Sequence, residues 1–362
     1  MSVHLRPVLG GLKAYKPGRS PADIARELGL DAAVKLASNE SAYGPLPSVL
    51  DVIAAAAAGI NRYPDMAATE LTTALAKHCA VSTDQVAIGC GSVGLYQQLL
   101  AAVVGPGDEV LYAWRSFEVY PILVGLSGAT AVPVPLRDAT HDLETMAAAV
   151  HDRTRMIFVC NPNNPTGTAV HAADLERFLD AVPDDVLVII DEAYREFVTD
   201  PDVPDGLELA AGRDNVAVLR TMSKAYGLAG LRVGYCVSAP PVIEALRKVQ
   251  LPFTVSTVAQ AAAVASLAAG DELLERVRAT VAERSRVADA LRGLGVDVPA
   301  TEANFVWLSL GSDAVPFATS CEQRGLIVRP FDGDGVRVTV GAPEENDRFL
   351  SVAADLLGPP PG

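Results

Sequence analysis

Cysteine is scarce and unpaired in this sequence. The five residues, Cys79, Cys90, Cys160, Cys236 and Cys321, are odd in number and widely spaced, with no C-x-x-C pair. That spacing argues against a disulfide framework or a metal site and fits a reducing compartment. Positive charge is also short, with 29 Lys and Arg against 44 Asp and Glu, a net charge of −15. Such a chain repels phosphate backbones, and its basic residues form no patch, so nucleic acid is not expected as a partner. The first residues lack the basic stretch followed by an apolar one that marks a secretory signal, so a cytoplasmic location is expected. One uncharged run, Val249 to Gly270, is long enough to span a bilayer. It contains Gln250, Pro252, Ser256, Thr257 and Gln260, so a buried helix is expected there and no membrane partner.

What is present is a globular balance. Half of the 362 residues are hydrophobic and 20% are charged, enough apolar material for a large core and about two domains. From Thr69 to Pro240 short apolar runs (Val86–Ile88, Met156–Cys160, Val186–Ile190, Val216–Leu219) alternate with helical patterns (Ser92–Val104, Ser116–Leu126, Ala172–Ala181). Runs apolar throughout are what parallel strands covered on both faces require. The expected fold class is therefore α/β, a mostly parallel, doubly wound sheet with a smaller α+β domain. Val258–Gly293 reads as nearly continuous helix. Asn304–Leu357 reads as strand, helix, two strands and helix. The expected divisions are an N-terminal segment (1–45) packing with the small domain, a large domain (46–255), a connecting helix (256–295) and the small domain (296–362).

Three segments at the ends of expected strands carry chemistry, and ligand sites of open α/β sheets collect there. Lys224 follows a buried strand among small residues and hydroxyls, where desolvation would lower its pKa and free a nucleophilic amine. Arg232 returns toward it after a Gly-rich turn and, with Thr221 and Ser223, could hold a phosphate. The bland alternative is a solvated lysine in a loop. Asp191, directly after Val186–Ile190, is a carboxylate that needs a partner if buried. A protonated pyridine nitrogen is such a partner, as a pyridoxal phosphate site requires, and Tyr194 could reach the ring hydroxyl. The alternative is Asp191 capping the next helix. Asn161-Pro162-Asn163-Asn164-Pro165-Thr166-Gly167 has the residues of a tight turn, yet places Asn164 where it could donate to a ring oxygen. Arg337 sits in the apolar strand Val336–Val340, where an unpaired guanidinium is costly and a substrate carboxylate relieves the cost.

These motifs, in this order, resemble the fold-type I, pyridoxal-phosphate-dependent aminotransferases of the histidinol-phosphate aminotransferase group. The similarity runs from Leu36-Ala37-Ser38-Asn39-Glu40 to Gly335-Val336-Arg337-Val338-Thr339-Val340-Gly341. It implies that Lys224 bonds the cofactor and later shuttles a proton, that Asp191 partners the ring nitrogen, and that Tyr194 and Asn164 donate to the ring oxygen. It implies a phosphate cup of Gly91, Ser92, Val93, Thr221, Ser223 and Arg232. The family often has Asp where Val93 stands, so only the Val93 amide is expected to serve. Phe117 falls where the family stacks an aromatic, usually Tyr, on the ring. Tyr63 matches the tyrosine that reaches the neighbouring subunit's phosphate, which implies a homodimer. Arg337, Asn39, Tyr15 and Arg329 are the implied substrate contacts; a surface salt bridge would explain Arg329 as well. No metal is expected.

The resemblance also implies a ping-pong exchange between an amino acid and 2-oxoglutarate. The runs Ala113–Glu118, Gly89–Val93 and Ala342–Asp347 look most similar to actinobacterial aromatic amino acid aminotransferases, so aromatic substrates are expected, with histidinol phosphate as the alternative. A threonine-phosphate-type decarboxylase would keep Lys224 and Asp191 but release CO₂. A cofactor-binding transcriptional regulator would need an additional DNA-binding domain, and the α/β pattern is already under way by Thr69.

Overall fold

The computed structural model describes residues 3–12, 14 and 18–358. In chain order the strands are β1 (Val34–Lys35), β2 (Val86–Cys90), β3 (Glu109–Trp114), β4 (Thr130–Pro135), β5 (Thr154–Cys160) and β6 (Leu187–Asp191). They continue as β7 (Val216–Thr221), β8 (Val233–Ser238), β9 (Phe305–Leu308), β10 (Leu326–Ile327), β11 (Arg329–Phe331) and β12 (Gly335–Thr339). Seven of them form the central sheet in the order β2-β8-β7-β6-β5-β3-β4. Neighbours from β7 across to β4 are parallel, while β8 runs antiparallel to both β7 and β2. The fold is the mostly parallel α/β architecture that the apolar runs imply.

Successive side chains of a strand point to opposite faces, and here both faces are buried. Met156, Phe158 and Cys160 of β5 pack with Tyr96, Leu99 and Tyr120 on one side. Ile157 and Val159 pack with Leu175, Phe178 and Leu179 on the other. In β6, Leu187 and Ile189 join the first cluster and Val188 and Ile190 the second. The same alternation carries Asp191, the last residue of β6, to the first face, level with Cys160 of β5.

The C-terminal strands make a smaller antiparallel sheet, β11-β12-β9, covered by helices Ala314–Glu322 and Pro343–Leu357 around a separate core. β1 pairs in parallel with β10, and Leu36 enters that core. The segment Leu36–Asn39 is thereby drawn from the N-terminal part of the chain to the boundary between the two sheets.

Several elements differ from expectation. Val258–Gly293 is two helices, Thr257–Ala268 and Gly270–Gly293, broken at Ala269. Within Val249–Gly270 the buried helix forms only from Thr257, because Pro252 and the Ser256 cap hold the preceding residues outside it. After helix Ala314–Glu322 three short strands appear rather than two, β10 being a two-residue partner for β1. The helix expected from Ser116 begins at Val119, which leaves Ser116–Glu118 as a turn at the end of β3. Among the described residues no helix is long and apolar enough to cross a membrane.

Candidate active site

A cavity opens at the carboxyl ends of β5, β6 and β7. Its lining brings together Asp191, Tyr194, Asn164, Lys224, Thr221, Ser223 and Arg232 with Ser92, Val93 and Phe117 of the large sheet's loops and helices. From the N-terminal segment and the small sheet come Asn39 and Arg337.

One end of the cavity is built to take an anion. Helix Gly91–Val103 begins there, and a helix N-terminus presents unpaired N–H groups. Two glycines let the chain close in on it. A Cβ on Gly234 would stand 2.6 Å from the Ser92 nitrogen, and one on Gly91, whose φ is +69°, 2.5 Å from Arg232 Nη2. Opposite this terminus, Thr221 donates to Ser223 Oγ at 3.0 Å and Arg232 Nη1 donates to the same oxygen at 3.3 Å.

Lys224 is partly buried and donates through Nζ to the Ser38 carbonyl at 3.2 Å. Burial and the positive charge of Arg337 pull its pKa down to about 7. Partly buried, bonded to a carbonyl and lining the cavity, Lys224 is not the solvated loop lysine of the alternative reading. Asp191 is 3% exposed, and burial raises its pKa. It does not cap the next helix: that element is a short 3-10 helix, Arg195–Phe197, with Tyr194 at its cap position. Its Oδ2 accepts from Tyr96 and Tyr120, each at 3.0 Å, while Oδ1 is buried with no hydrogen-bond partner. Burial also pushes the Tyr194 phenol up; its oxygen accepts from Asn39 Nδ2 at 2.9 Å. Asn39 is fixed in turn by its backbone N–H on Thr339 Oγ1, 2.9 Å away. Arg337 lies against the rings of Phe305 and Phe331, donates through Nη1 to Asn164 Oδ1 and through Nη2 to the Ala37 carbonyl at 2.6 Å.

The sequence model of the family described as aminotransferase class I and II matches residues 31–352. The chain belongs to that family. Among the relatives of this aminotransferase is the aromatic amino acid aminotransferase of Thermobifida fusca, 61% identical over 97% of this chain and 96% of that protein. The Streptomyces coelicolor protein of the same name is 58% identical over 98% of both. Among solved structures, histidinol-phosphate aminotransferase from Sinorhizobium meliloti in complex with pyridoxal-5′-phosphate superposes with a TM-score of 0.89. It is 31% identical, covering 98% of this chain and 99% of that one.

Two residues expected at the site of the aminotransferase stand apart from the cavity. Arg329 is engaged by Glu118, Nη2 to Oε2 at 2.7 Å, and does not line it. Tyr63 is 82% exposed and stacks on Phe253, ring centres 4.6 Å apart, also outside it. Tyr15 lies outside the described residues. Conversely, the partners that hold the site residues were not legible in the motifs. Tyr96 and Tyr120 fall within the helical patterns Ser92–Val104 and Ser116–Leu126 and outside every motif, and Ala37 and Ser38 act through backbone carbonyls, which no side-chain pattern signals.

Proposed function

We propose that this aminotransferase exchanges the amino group between aromatic amino acids and 2-oxoglutarate, using pyridoxal 5′-phosphate held as the resemblance implies. The reading is carried by the 61% identity, over nearly the whole of both chains, to a protein named for aromatic amino acids. The likeness to a histidinol-phosphate enzyme is more distant, at 31%.

The cavity fits the cofactor on its own terms. The buried, unpartnered Asp191 Oδ1 is the acceptor that a protonated ring nitrogen needs. The helix terminus at Gly91, the two glycines and the cluster Thr221, Ser223 and Arg232 suit a phosphate. Bound there, the cofactor supplies a carbonyl carbon that takes up an amino group and a ring that delocalises negative charge.

The residues divide the remaining work. Lys224, largely neutral just above pH 7, supplies the attacking amine and afterwards takes the proton from the substrate Cα through Nζ. Asp191 keeps a proton on the ring nitrogen. Tyr194 and Asn164 hold the ring oxygen, and Phe117 covers a ring face. Arg337 receives the substrate carboxylate, with Asn39 orienting Tyr194 beside it. Ser92 and Val93 contribute backbone N–H groups to the phosphate. Tyr63, turned outward in this chain, serves the neighbouring subunit of a homodimer.

The test is specificity. Purified protein with the cofactor and 2-oxoglutarate is assayed with phenylalanine, tyrosine and histidinol phosphate separately, comparing kcat/KM. The aromatic amino acids are expected to lead. A higher value for histidinol phosphate would overturn the assignment, and CO₂ release without keto acid would point to decarboxylation.

A further inference from the structure

Asp191 is gripped from the protein side by two phenols that belong to none of the motifs above. Tyr96 and Tyr120 each reach Oδ2 at 3.0 Å, and their own oxygens are 2.9 Å apart. Each phenol has one proton to give, and a carboxylate oxygen has two lone pairs to receive it. With both protons on Oδ2, that atom is saturated, and Oδ1 of this cavity-lining residue is left buried without a partner. Both rings are fully buried and locked by Phe158, whose ring centre is 4.8 Å from each. Burial raises both phenol pKa values well above the ordinary tyrosine value, so both stay protonated donors.

The placement ties this pair to the rest of the site. Tyr96 lies one turn into helix Gly91–Val103, whose first residues form the anion end of the cavity. Tyr120 lies at the start of helix Val119–Ser127 and meets the ring of Phe117 edge-on, centres 5.6 Å apart. The other titratable groups around the Asp191 carboxyl are Lys224, the Cys160 thiol, which burial pushes up to about 12, and the phenol of Tyr194.

We propose that Tyr96 and Tyr120 are positioning residues that hold the proton on the cofactor's ring nitrogen instead of on Asp191. The inference rests on the cofactor reading above. Two donors on Oδ2 favour the carboxylate over the carboxylic acid, which burial alone would favour. Without them the N–H bond of the ring breaks and an O–H bond forms at Oδ1. Charge is conserved within the pair, and a neutral ring withdraws electrons less well.

The experiment loads wild type, Tyr96→Phe, Tyr120→Phe and the double variant with pyridoxal phosphate carrying ¹⁵N in the ring, and reads the ¹⁵N resonance across pH. Phenylalanine keeps the ring packing and removes only the hydroxyl. Wild type should show the protonated-ring position, each single variant should lose it at a lower pH, and the double variant should sit at the neutral-ring position. With phenylalanine as substrate, kcat should fall while KM changes little. A double variant that binds cofactor and keeps the wild-type resonance overturns the inference, as does a wild type whose ring is neutral. If the double variant does not fold, single variants with unmoved titrations overturn it equally. Failure of wild type to bind cofactor at all would instead remove the reading beneath it.

Discussion

Arg337 of β12 and Asn164 of the turn after β5 are joined by a buried hydrogen bond, although 173 residues separate them in the chain. The same guanidinium also holds the Ala37 carbonyl. One side chain therefore couples the small sheet, the large sheet and the N-terminal segment at the point where the substrate carboxylate is proposed to dock.

Arg337→Ala should raise KM for amino donors and keto acids alike, because both carry the carboxylate that Arg337 receives. Loss of a buried charged partner costs about 2–5 kcal/mol, or roughly 30- to 5,000-fold in kcat/KM. Arg337→Lys should recover only part, since the two-pronged geometry is lost. A variant with unchanged KM for both substrates would remove Arg337 from the binding role.

Tyr63 should act across a subunit boundary. Tyr63→Ala and Lys224→Ala homodimers are each expected to be impaired. Refolding the two together creates one site containing both native residues, so activity should return. Mixtures no more active than their parents would argue that each chain completes its own site.

The lowered pKa of Lys224 makes capture of the cofactor by the apoprotein pH-dependent. The rate should climb through about pH 7 and level off above it, where the amine is already neutral. A climb continuing to the ordinary lysine range would contradict the buried position. The sign for stability follows the same group. Between about pH 7 and 10.5 the unfolded chain binds a proton that the folded one does not, so the contribution of Lys224 to stability rises with pH in that window.

Beneath Asp191, Glu192 Oε2 accepts from Arg220 at 2.9 and 2.7 Å, and Asp205 shares the same guanidinium at 2.6 Å. Arg220→Met should cost about 3–5 kcal/mol in a urea melt, because it leaves the buried Glu192 without its cationic partner, only the Gly206 N–H remaining on Oε1. Adding Glu192→Gln should restore part of that loss. Equal stability of wild type and Arg220→Met would show the pair to be idle.

The sheet was the most legible part of the structure, and the reason is periodicity. The runs Met156–Cys160 of β5, Leu187–Ile190 of β6 and Val216–Leu219 of β7 are apolar at every position because both of their faces are covered, and Ala172–Ala181 shows the helical spacing and forms over those residues. The break at Ala269 leaves no mark on the helical spacing, although Gly270-Asp271-Glu272 has the low propensity and early acidic charge of a new helix start. The chemistry-bearing side chains were legible because Lys224, Asp191 and Asn164 stand at strand ends, where the cavity gathers them. Their supports were not. Tyr96 and Tyr120 sit on helices that read as apolar, and only the packing of those helices against β5 and β6 turns their hydroxyls onto Asp191.

The most direct measurement is the location of the cofactor bond. The loaded protein is reduced with borohydride, which fixes the cofactor to the amine that holds it, digested, and mapped by peptide mass. The account predicts a single labelled residue, Lys224, and no label or visible cofactor absorbance in Lys224→Ala. Label on another lysine, or full transamination by Lys224→Ala, would contradict it.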